Sequence, residues 1–114
     1  MTNTRIVLIH WNKDEAAELA KPLIQSGWPV EIEAEDGARI SARVLDNPPK
    51  AVVIYLTRLP SHGRETARYL LSNSSVPIIF VDGAEEKVES TRVGVPDALF
   101  IRSDTLIATL ASLT

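Results

Sequence analysis

Five apolar runs, each the length of a β-strand, recur along the 114-residue chain at intervals of about 23 residues. The stretches between the runs have helical length and periodicity, and such alternation is typical of a parallel sheet covered by helices on both faces. All runs but the second are almost continuously apolar, as expected for strands inside such a sheet. The pattern predicts one α/β domain over residues 1–114, with strands at residues 6–9, 30–34, 51–56, 76–81 and 98–101.

The second run alternates apolar residues with glutamates, which places Glu31, Glu33 and Glu35 on one face of a strand. A period of two indicates one solvated face, so this strand is predicted to lie at an edge of the sheet. The second strand does lie at an edge in the doubly wound, flavodoxin-like order 2-1-3-4-5. We therefore expect a three-layer fold with a five-stranded parallel sheet of that order. The glutamate row is expected to be a solvated face that discourages edge pairing, or else a surface that attracts a cation or a basic partner.

The first helix is the best defined, because its apolar residues recur at helical spacing. Asn12 and Glu15 resemble an N-terminal capping pair, and Gly27 is a natural end to the helix. Pro22 lies inside the helix and predicts a local kink, because it removes one backbone hydrogen bond. The residues predicted to face the sheet are Ala16, Leu19, Ala20, Leu23 and Ile24.

The later helices are predicted from apolar spacing and from their end signals. Two of them are expected over residues 38–45 and 63–71. Segment 85–95 is charged and has few apolar residues, which predicts a short or loosely packed, mobile helix. The last helix is expected to begin near Ser103 or Asp104. The residues predicted to face inward from it are Leu106, Ile107, Leu110 and Leu113.

The composition excludes several classes of function. A net charge of −3 and a pI near 5.3, with scattered basic residues, argue against nucleic-acid binding by this chain alone. The chain has no cysteine, so disulfides and thiolate metal sites are excluded. Neither a signal peptide nor an apolar run long enough to span a bilayer is evident. We therefore expect a cytoplasmic protein without membrane contact.

Residues 51–71, AVVIYLTRLPSHGRETARYLL, resemble the middle of a response-regulator receiver domain. In that family an apolar strand ends in the phosphate-accepting aspartate, a Leu-Pro pair follows, and Gly-x-Glu then opens a helix. The resemblance places the acceptor position at Leu56, and neither Tyr55 nor Thr57 beside it is an acid. The residues that match the pattern are Leu59, Pro60, Gly63, Glu65, Ala67, Arg68 and Leu70.

The other positions of the receiver site are altered as well. Aspartyl phosphorylation needs a carboxylate nucleophile and a Mg²⁺ ion held by oxygen ligands. The resemblance places His10 and Trp11 where receivers have two metal-binding acids after the first strand. Asp82 stands where they have Ser or Thr, and Arg102 is the nearest match to their strand-five lysine. The resemblance therefore implies a degenerate receiver, or pseudo-receiver, that is not an enzyme and holds neither metal nor cofactor.

Doubly wound folds bind ligands at the carboxyl ends of their strands, so the polar residues predicted there form a candidate crevice. Asp82 and Arg102 are either an ion pair that locks one state of the domain or two solvated polar groups. His10 is either a group that titrates near neutral pH or a polar end to a buried strand. The complete predicted crevice is His10, Thr57, Arg58, Asp82 and Arg102.

Three further residues, two tryptophans and a histidine, have side chains of types found in functional sites. Trp11 and Trp28 are either exposed partner contacts or fillers of a gap between helix and sheet. His62 has no evident acid or serine partner, so no catalytic role is predicted for it. The glycine patterns of dinucleotide-binding and phosphate-binding loops are not found in the sequence.

Two hypotheses for function follow. The favoured one is a non-catalytic signalling or regulatory module that binds a protein partner or itself through residues 85–113, since receivers dimerise or signal through their fourth helix, fifth strand and fifth helix. The alternative is a domain that senses a small ligand, a nucleotide or an anion, in the carboxyl-edge crevice. An enzyme with unrecognised chemistry is a third class, which no motif supports.

Overall fold

The strands of the chain form one parallel sheet in a computed structural model, which describes residues 5–10, 12–33, 37–55, 63–82, 85–94 and 97–112. Neighbouring strands pair in the order 2-1-3-4-5, and every pair is parallel. The predicted three-layer doubly wound fold is therefore confirmed. The strands are Ile6–Ile9 (β1), Val30–Glu33 (β2), Ala51–Tyr55 (β3), Ile78–Val81 (β4) and Leu99–Ile101 (β5).

Helices connect consecutive strands, and a short 3₁₀ turn, Ser103–Thr105, precedes the last of them. Within the described ranges, no helix has both the length and the apolar character needed to cross a bilayer. The helices are Lys13–Gln25 (α1), Gly37–Asp46 (α2), Gly63–Asn73 (α3), Glu85–Gly94 (α4) and Leu106–Ser112 (α5).

Each face of the sheet has its own apolar core, as the alternation of side chains along a strand requires. One core lies beneath α1 and α5 and contains Leu8 and Val53 from the sheet, with Leu23 and Leu106 from the helices. The opposite core lies beneath α2, α3 and α4. Its buried members are Val7, Ile9, Ile40, Val44, Val52, Ile54, Ala67, Leu70, Val76, Ile78, Phe80 and Ala98.

The ends of α1 form as the sequence predicts. Asn12 caps the helix, because its side-chain oxygen accepts a hydrogen bond from the Glu15 N–H at 3.0 Å. Gly27 follows the helix with φ of 97°, in the left-handed region that favours glycine. The predicted stripe is too wide, however, because Ile24 is 56% exposed. Leu23 takes the place against the sheet in that turn, and the next residue points about 100° away from it.

The last two helices each depart from the prediction, in different respects. Ile107 on α5 is exposed, because Leu106 and Leu110 already face the sheet, while Leu113 lies outside the described residues. Helix α4 has ten residues, as many as α2, so it is not short. Thr91 on α4 is fully buried, and its hydroxyl has no hydrogen-bond partner. The predicted mobility of α4 stays a prediction.

The glutamates of β2 are not solvated in the way that their alternation predicts. Glu33 is buried, and Glu31 is mostly buried between two arginines. The Glu31 carboxylate lies 3.1 Å from an Arg5 nitrogen and also forms an ion pair with Arg43 on α2. The expectation is wrong because α2 packs on this side of the sheet and covers it. Glu35 lies outside the described residues.

Candidate functional site

Polar side chains gather at the carboxyl edge of the sheet, where doubly wound folds bind their ligands. His10 directly follows β1, Tyr55 ends β3, Asp82 follows β4 and Arg102 follows β5. Because the strands are parallel, these four residues lie at the same edge. Three of them belong to the predicted crevice, whereas the sequence predicted no role for Tyr55.

His10 is buried, and its imidazole makes contacts within the domain. Its Nδ1 atom accepts a hydrogen bond from the Asn12 N–H at 3.0 Å. An acceptor nitrogen carries no proton, so the neutral ring has its hydrogen on Nε2. That Nε2 atom lies 3.5 Å from a carboxylate oxygen of Glu15, and the ring centroid lies 6.1 Å from that of Tyr55. This geometry agrees with a polar end to a buried strand.

Tyr55 packs in the core beneath α1 and α5 and is also buried. Burial, and to a smaller extent the nearby charge of Asp82, raise the pKa of its hydroxyl from 10.0 to about 12. The phenol is therefore neutral over the physiological range. Tyr55 is the last residue of the apolar run that forms β3. Nothing in that run indicates that the carboxylate of Asp82 lies near its hydroxyl.

Asp82 connects the end of β4 to the segment after β5. Its backbone N–H donates to the Ile101 carbonyl at 2.9 Å, and its Oδ1 accepts the Ser103 N–H at 2.9 Å. Asp82 has φ of 59°, a left-handed conformation that aspartate adopts more readily than most residues. The carboxylate therefore satisfies the first amide of the 3₁₀ turn that leads into α5.

The predicted ion pair between Asp82 and Arg102 does not form, although both residues belong to the described part of the chain. The Asp82 carboxylate instead bonds the nearer Ser103 backbone amide. Arg102 is exposed at the start of the same turn. A backbone amide is held in place by the turn, whereas a solvated arginine would lose side-chain entropy on pairing.

Several predicted site residues lie outside the described residues, so their predictions are not tested. They are Trp11, Leu56, Thr57, Arg58 and His62. Trp28 is described, and it is partly buried against the core beneath α1 and α5. The Lys50 ammonium lies 5.2 Å from the centre of its ring. Of the two interpretations of Trp28, an exposed partner contact or a filler between helix and sheet, the structure agrees with the filler.

The described residues at this edge do not fit the Mg²⁺ ion of active receivers. Such an ion needs several oxygen ligands that converge on one point. Within the described ranges, no group of three or more histidine or acidic side chains is arranged to hold a metal. The Nδ1 atom of His10 accepts a backbone N–H, and Oδ1 of Asp82 accepts another. Both residues therefore use polar atoms to hold loops of the domain.

Glu33 is a buried acid near this edge that the sequence prediction missed. It ends β2, and its backbone carbonyl accepts the His10 N–H at 3.1 Å. The alternation of β2 predicted a solvated side chain, because a two-residue period cannot reveal whether a helix covers the polar face. The better signal was the apolar spacing of α2, which already indicated a helix next to β2 in the chain.

Comparison with known proteins identifies the fold. No protein-family model matches the chain, and no curated protein matches it either. Solved receiver structures do match it along nearly its whole length. A signal receiver domain from Bermanella marisrubri has a TM-score of 0.78 at 19% identity, with 98% of each chain covered.

Two other solved structures give the same result. A CheY-like receiver domain from Methylobacillus flagellatus has a TM-score of 0.79 at 15% identity, covering 99% of this chain and 100% of its own. Response regulator protein TrrA from Thermotoga maritima, solved in complex with Mg²⁺ and BeF, has a TM-score of 0.78 at 14% identity, covering 97% of this chain and 99% of its own. At these identities the likeness shows that the chain has the receiver fold.

Proposed function

We propose that this chain is a non-catalytic signalling or regulatory module with a receiver fold, which acts by binding another protein or a second copy of itself. The sequence supports the loss of phosphoryl chemistry, because the motif in residues 51–71 places Leu56 where receivers have the acceptor aspartate. A leucine side chain can neither attack a phosphoryl group nor ligate Mg²⁺. A cytoplasmic location fits this proposal.

The observation that carries the proposal is the internal use of polar atoms at the carboxyl edge. The resemblance assigns His10 to a position of the receiver metal acids, and His10 is buried with Nδ1 bonded to the Asn12 amide. Asp82 bonds the Ser103 amide before α5. Nδ1 of His10 and Oδ1 of Asp82 are therefore used in hydrogen bonds that stabilise two loops, and neither atom is left to bind a metal. The same contacts support a domain whose role is to present a surface.

We place the partner surface on residues 85–113, which include α4, β5 and α5. Three large apolar side chains are exposed there: Val93 on α4 is 85% exposed, Leu99 on β5 is 41% exposed and Ile107 on α5 is 40% exposed. Burying such side chains stabilises a complex by about 25 cal/mol per Å² of apolar surface removed from water. These side chains are accordingly the expected contacts with a second copy or a protein partner.

Sedimentation velocity at micromolar concentration, together with a pull-down by the same protein, tests the surface. Val93→Asp and Ile107→Asp should abolish self-association or partner capture. Ile24→Asp is the matched control, because Ile24 is an exposed isoleucine on α1, outside the proposed surface. A monomer that captures no partner contradicts the proposal, as does equal loss of binding in the control.

A labelling experiment tests the loss of catalysis separately. Incubation with radioactive acetyl phosphate and Mg²⁺ should leave the protein unlabelled, while an active receiver treated in parallel takes up label. Label that survives removal of free acetyl phosphate would contradict the non-catalytic part of the proposal.

Sensing of a small anion or a nucleotide is the alternative, and one observation favours it. Arg102 is exposed at the carboxyl edge, where it can meet an anion from solvent. In a thermal-shift screen, a ligand at 100 times its Kd should add about 2.7 kcal/mol to the free energy of unfolding. Arg102→Ala should remove such a shift if this crevice binds the ligand. A screen in which nothing shifts the melting temperature leaves protein binding as the better account.

A further inference from the structure

A hydrogen bond from a backbone amide to an imidazole joins the end of β1 to the start of α1. The Asn12 N–H donates to Nδ1 of His10 at 3.0 Å. Asn12 is also the N-cap of α1, since its side chain accepts the Glu15 N–H and its carbonyl accepts the Ala16 N–H, each at 3.0 Å. The histidine therefore positions the residue on which the first turn of α1 is built.

We propose that His10 is a proton-sensitive latch on the turn between β1 and α1. The neutral ring with its hydrogen on Nε2 closes the latch, because Nδ1 then accepts the Asn12 amide. A proton on Nδ1 turns this atom into a donor. Two donors cannot share a hydrogen bond, so the imidazolium must release the Asn12 amide. Releasing that amide frees the N-cap and loosens the first turn of α1.

The charged and titratable groups around His10 influence how readily its imidazole takes up a second proton. Glu15 from α1 lies 3.5 Å from Nε2 and attracts an imidazolium, but its side chain is 42% exposed, so water screens the attraction. Tyr55 from β3 faces the ring and stays neutral far into the alkaline range. Glu33 at the end of β2 is buried, and its backbone carbonyl accepts the His10 N–H.

Histidine is the side chain whose charge normally changes between about pH 5 and about pH 8, and this chain has only two histidines. The latch therefore makes the carboxyl edge of β1 responsive to protonation of His10. Asn12 and Glu15 are the residues expected to respond, because they are joined to His10 by consecutive hydrogen bonds. This inference concerns the fold and holds whether or not the proposed partner surface is correct.

Nuclear magnetic resonance of the whole ¹⁵N-labelled chain tests the latch between about pH 8 and about pH 5. At the upper limit, the His10 ring should show a protonated Nε2 and a bare Nδ1. On acidification, the Asn12 and Glu15 amide signals should move with the same midpoint as the His10 ring. The exchange protection factor of the Asn12 amide should fall about twofold to tenfold, the range expected when one hydrogen bond is lost.

Two variants assign the effect to one histidine. His62→Asn removes the other histidine and should leave the titration of the Asn12 amide unchanged. His10→Asn keeps a side-chain acceptor near the turn but cannot titrate in this range, so the pH dependence of the Asn12 amide should disappear. An unprotonated Nε2 at the upper pH, or an Asn12 protection factor that stays constant across the range in the unmodified chain, overturns the proposal.

Discussion

β2 and β5 are the two edge strands of the sheet, and their surroundings differ in chemistry. The side of β2 that faces α2 carries an ion-pair network, in which the Glu31 carboxylate contacts both Arg5 and Arg43. β5 has the sequence Leu-Phe-Ile, with Leu99 exposed and its two neighbours partly buried. Phe100 stacks on Phe80 of β4 with ring centroids 5.2 Å apart.

This difference suggests which edge of the sheet is available to a partner. Charged side chains oppose the addition of another strand or an apolar surface, whereas an exposed apolar edge favours association. At the β2 edge, the charges of Glu31, Arg5 and Arg43 pair with one another, and Arg43 belongs to the domain's own helix α2. The three residues of β5 are all uncharged and apolar, and this agrees with the partner surface that we propose for residues 85–113.

The largest expected effect is on the β5 edge, from Phe100→Ala. The substitution removes the stack with Phe80 and the contact with Arg92, whose guanidinium lies 5.0 Å from the ring centre. Because Phe100 is partly exposed, the loss should be about 3 kcal/mol, at the low end for a phenylalanine truncation. Urea unfolding measures it. Leu99→Ala on the same strand should cost about 1 kcal/mol, and equal losses at the two positions would show that the stack is unimportant.

Alkaline pH should act next most strongly, through Tyr55, which pairs with Val81 on the β4 side of the sheet. Its pKa is raised to about 12 in the folded chain and is near 10.0 in the unfolded chain, so the folded state favours the neutral phenol. The stability it contributes is full below about pH 10 and is lost as the pH rises to about 12, by about 2 to 3 kcal/mol in total.

Urea unfolding at about pH 9 and about pH 11.5 measures this loss, and Tyr55→Phe should remove it. Tyr69→Phe changes the only other tyrosine, on an exposed face of α3, and should leave the decline intact. A decline of the same size in the Tyr55→Phe variant would assign alkaline sensitivity to other groups.

The smallest of the three effects is expected at the β2 edge, from Glu31→Ala. Removing this carboxylate leaves Arg5 and Arg43 beside each other without their shared partner. Breaking a fully buried pair costs about 3 to 5 kcal/mol, and Arg43 is more than half exposed, so about 2 kcal/mol is expected here. Glu18→Ala on α1 is the control, since its exposed pair with Lys21 should contribute less than about 0.5 kcal/mol. If Glu31→Ala and Glu18→Ala lower the free energy of unfolding equally in chemical denaturation, the β2 network contributes no more than an exposed surface pair.

The fold was predictable because its signals are local and repeated. Strand-length apolar runs and helical spacing between them predicted a parallel sheet, and the alternation of β2 placed that strand at an edge, which agrees with the order 2-1-3-4-5 but also with other orders. The cap at Asn12 and the stop at Gly27 are also local, since each depends on residues a few positions away. The width of the helical stripes was not predictable from spacing, and Ile24 and Ile107 are exposed for this reason. Spacing shows which residues share a face, but not how much of that face the sheet covers.

The candidate site was predictable in its location and not in its bonds. Parallel strands bring His10, Asp82 and Arg102 to one edge, and that part follows from topology. The partner of Asp82 is the Ser103 backbone amide, which composition cannot distinguish from the neighbouring arginine side chain. The burial of Glu33 depends on how closely α2 packs. Both features depend on tertiary distances of a few ångströms, which no periodicity encodes.

The backbone of Asp82 restricts how this position can diverge. A left-handed φ of 59° favours glycine, asparagine and aspartate, and an acceptor for the Ser103 amide excludes glycine. Asparagine is then the one replacement that keeps both the conformation and the bond. Descendants of this gene should therefore carry either aspartate or asparagine at position 82.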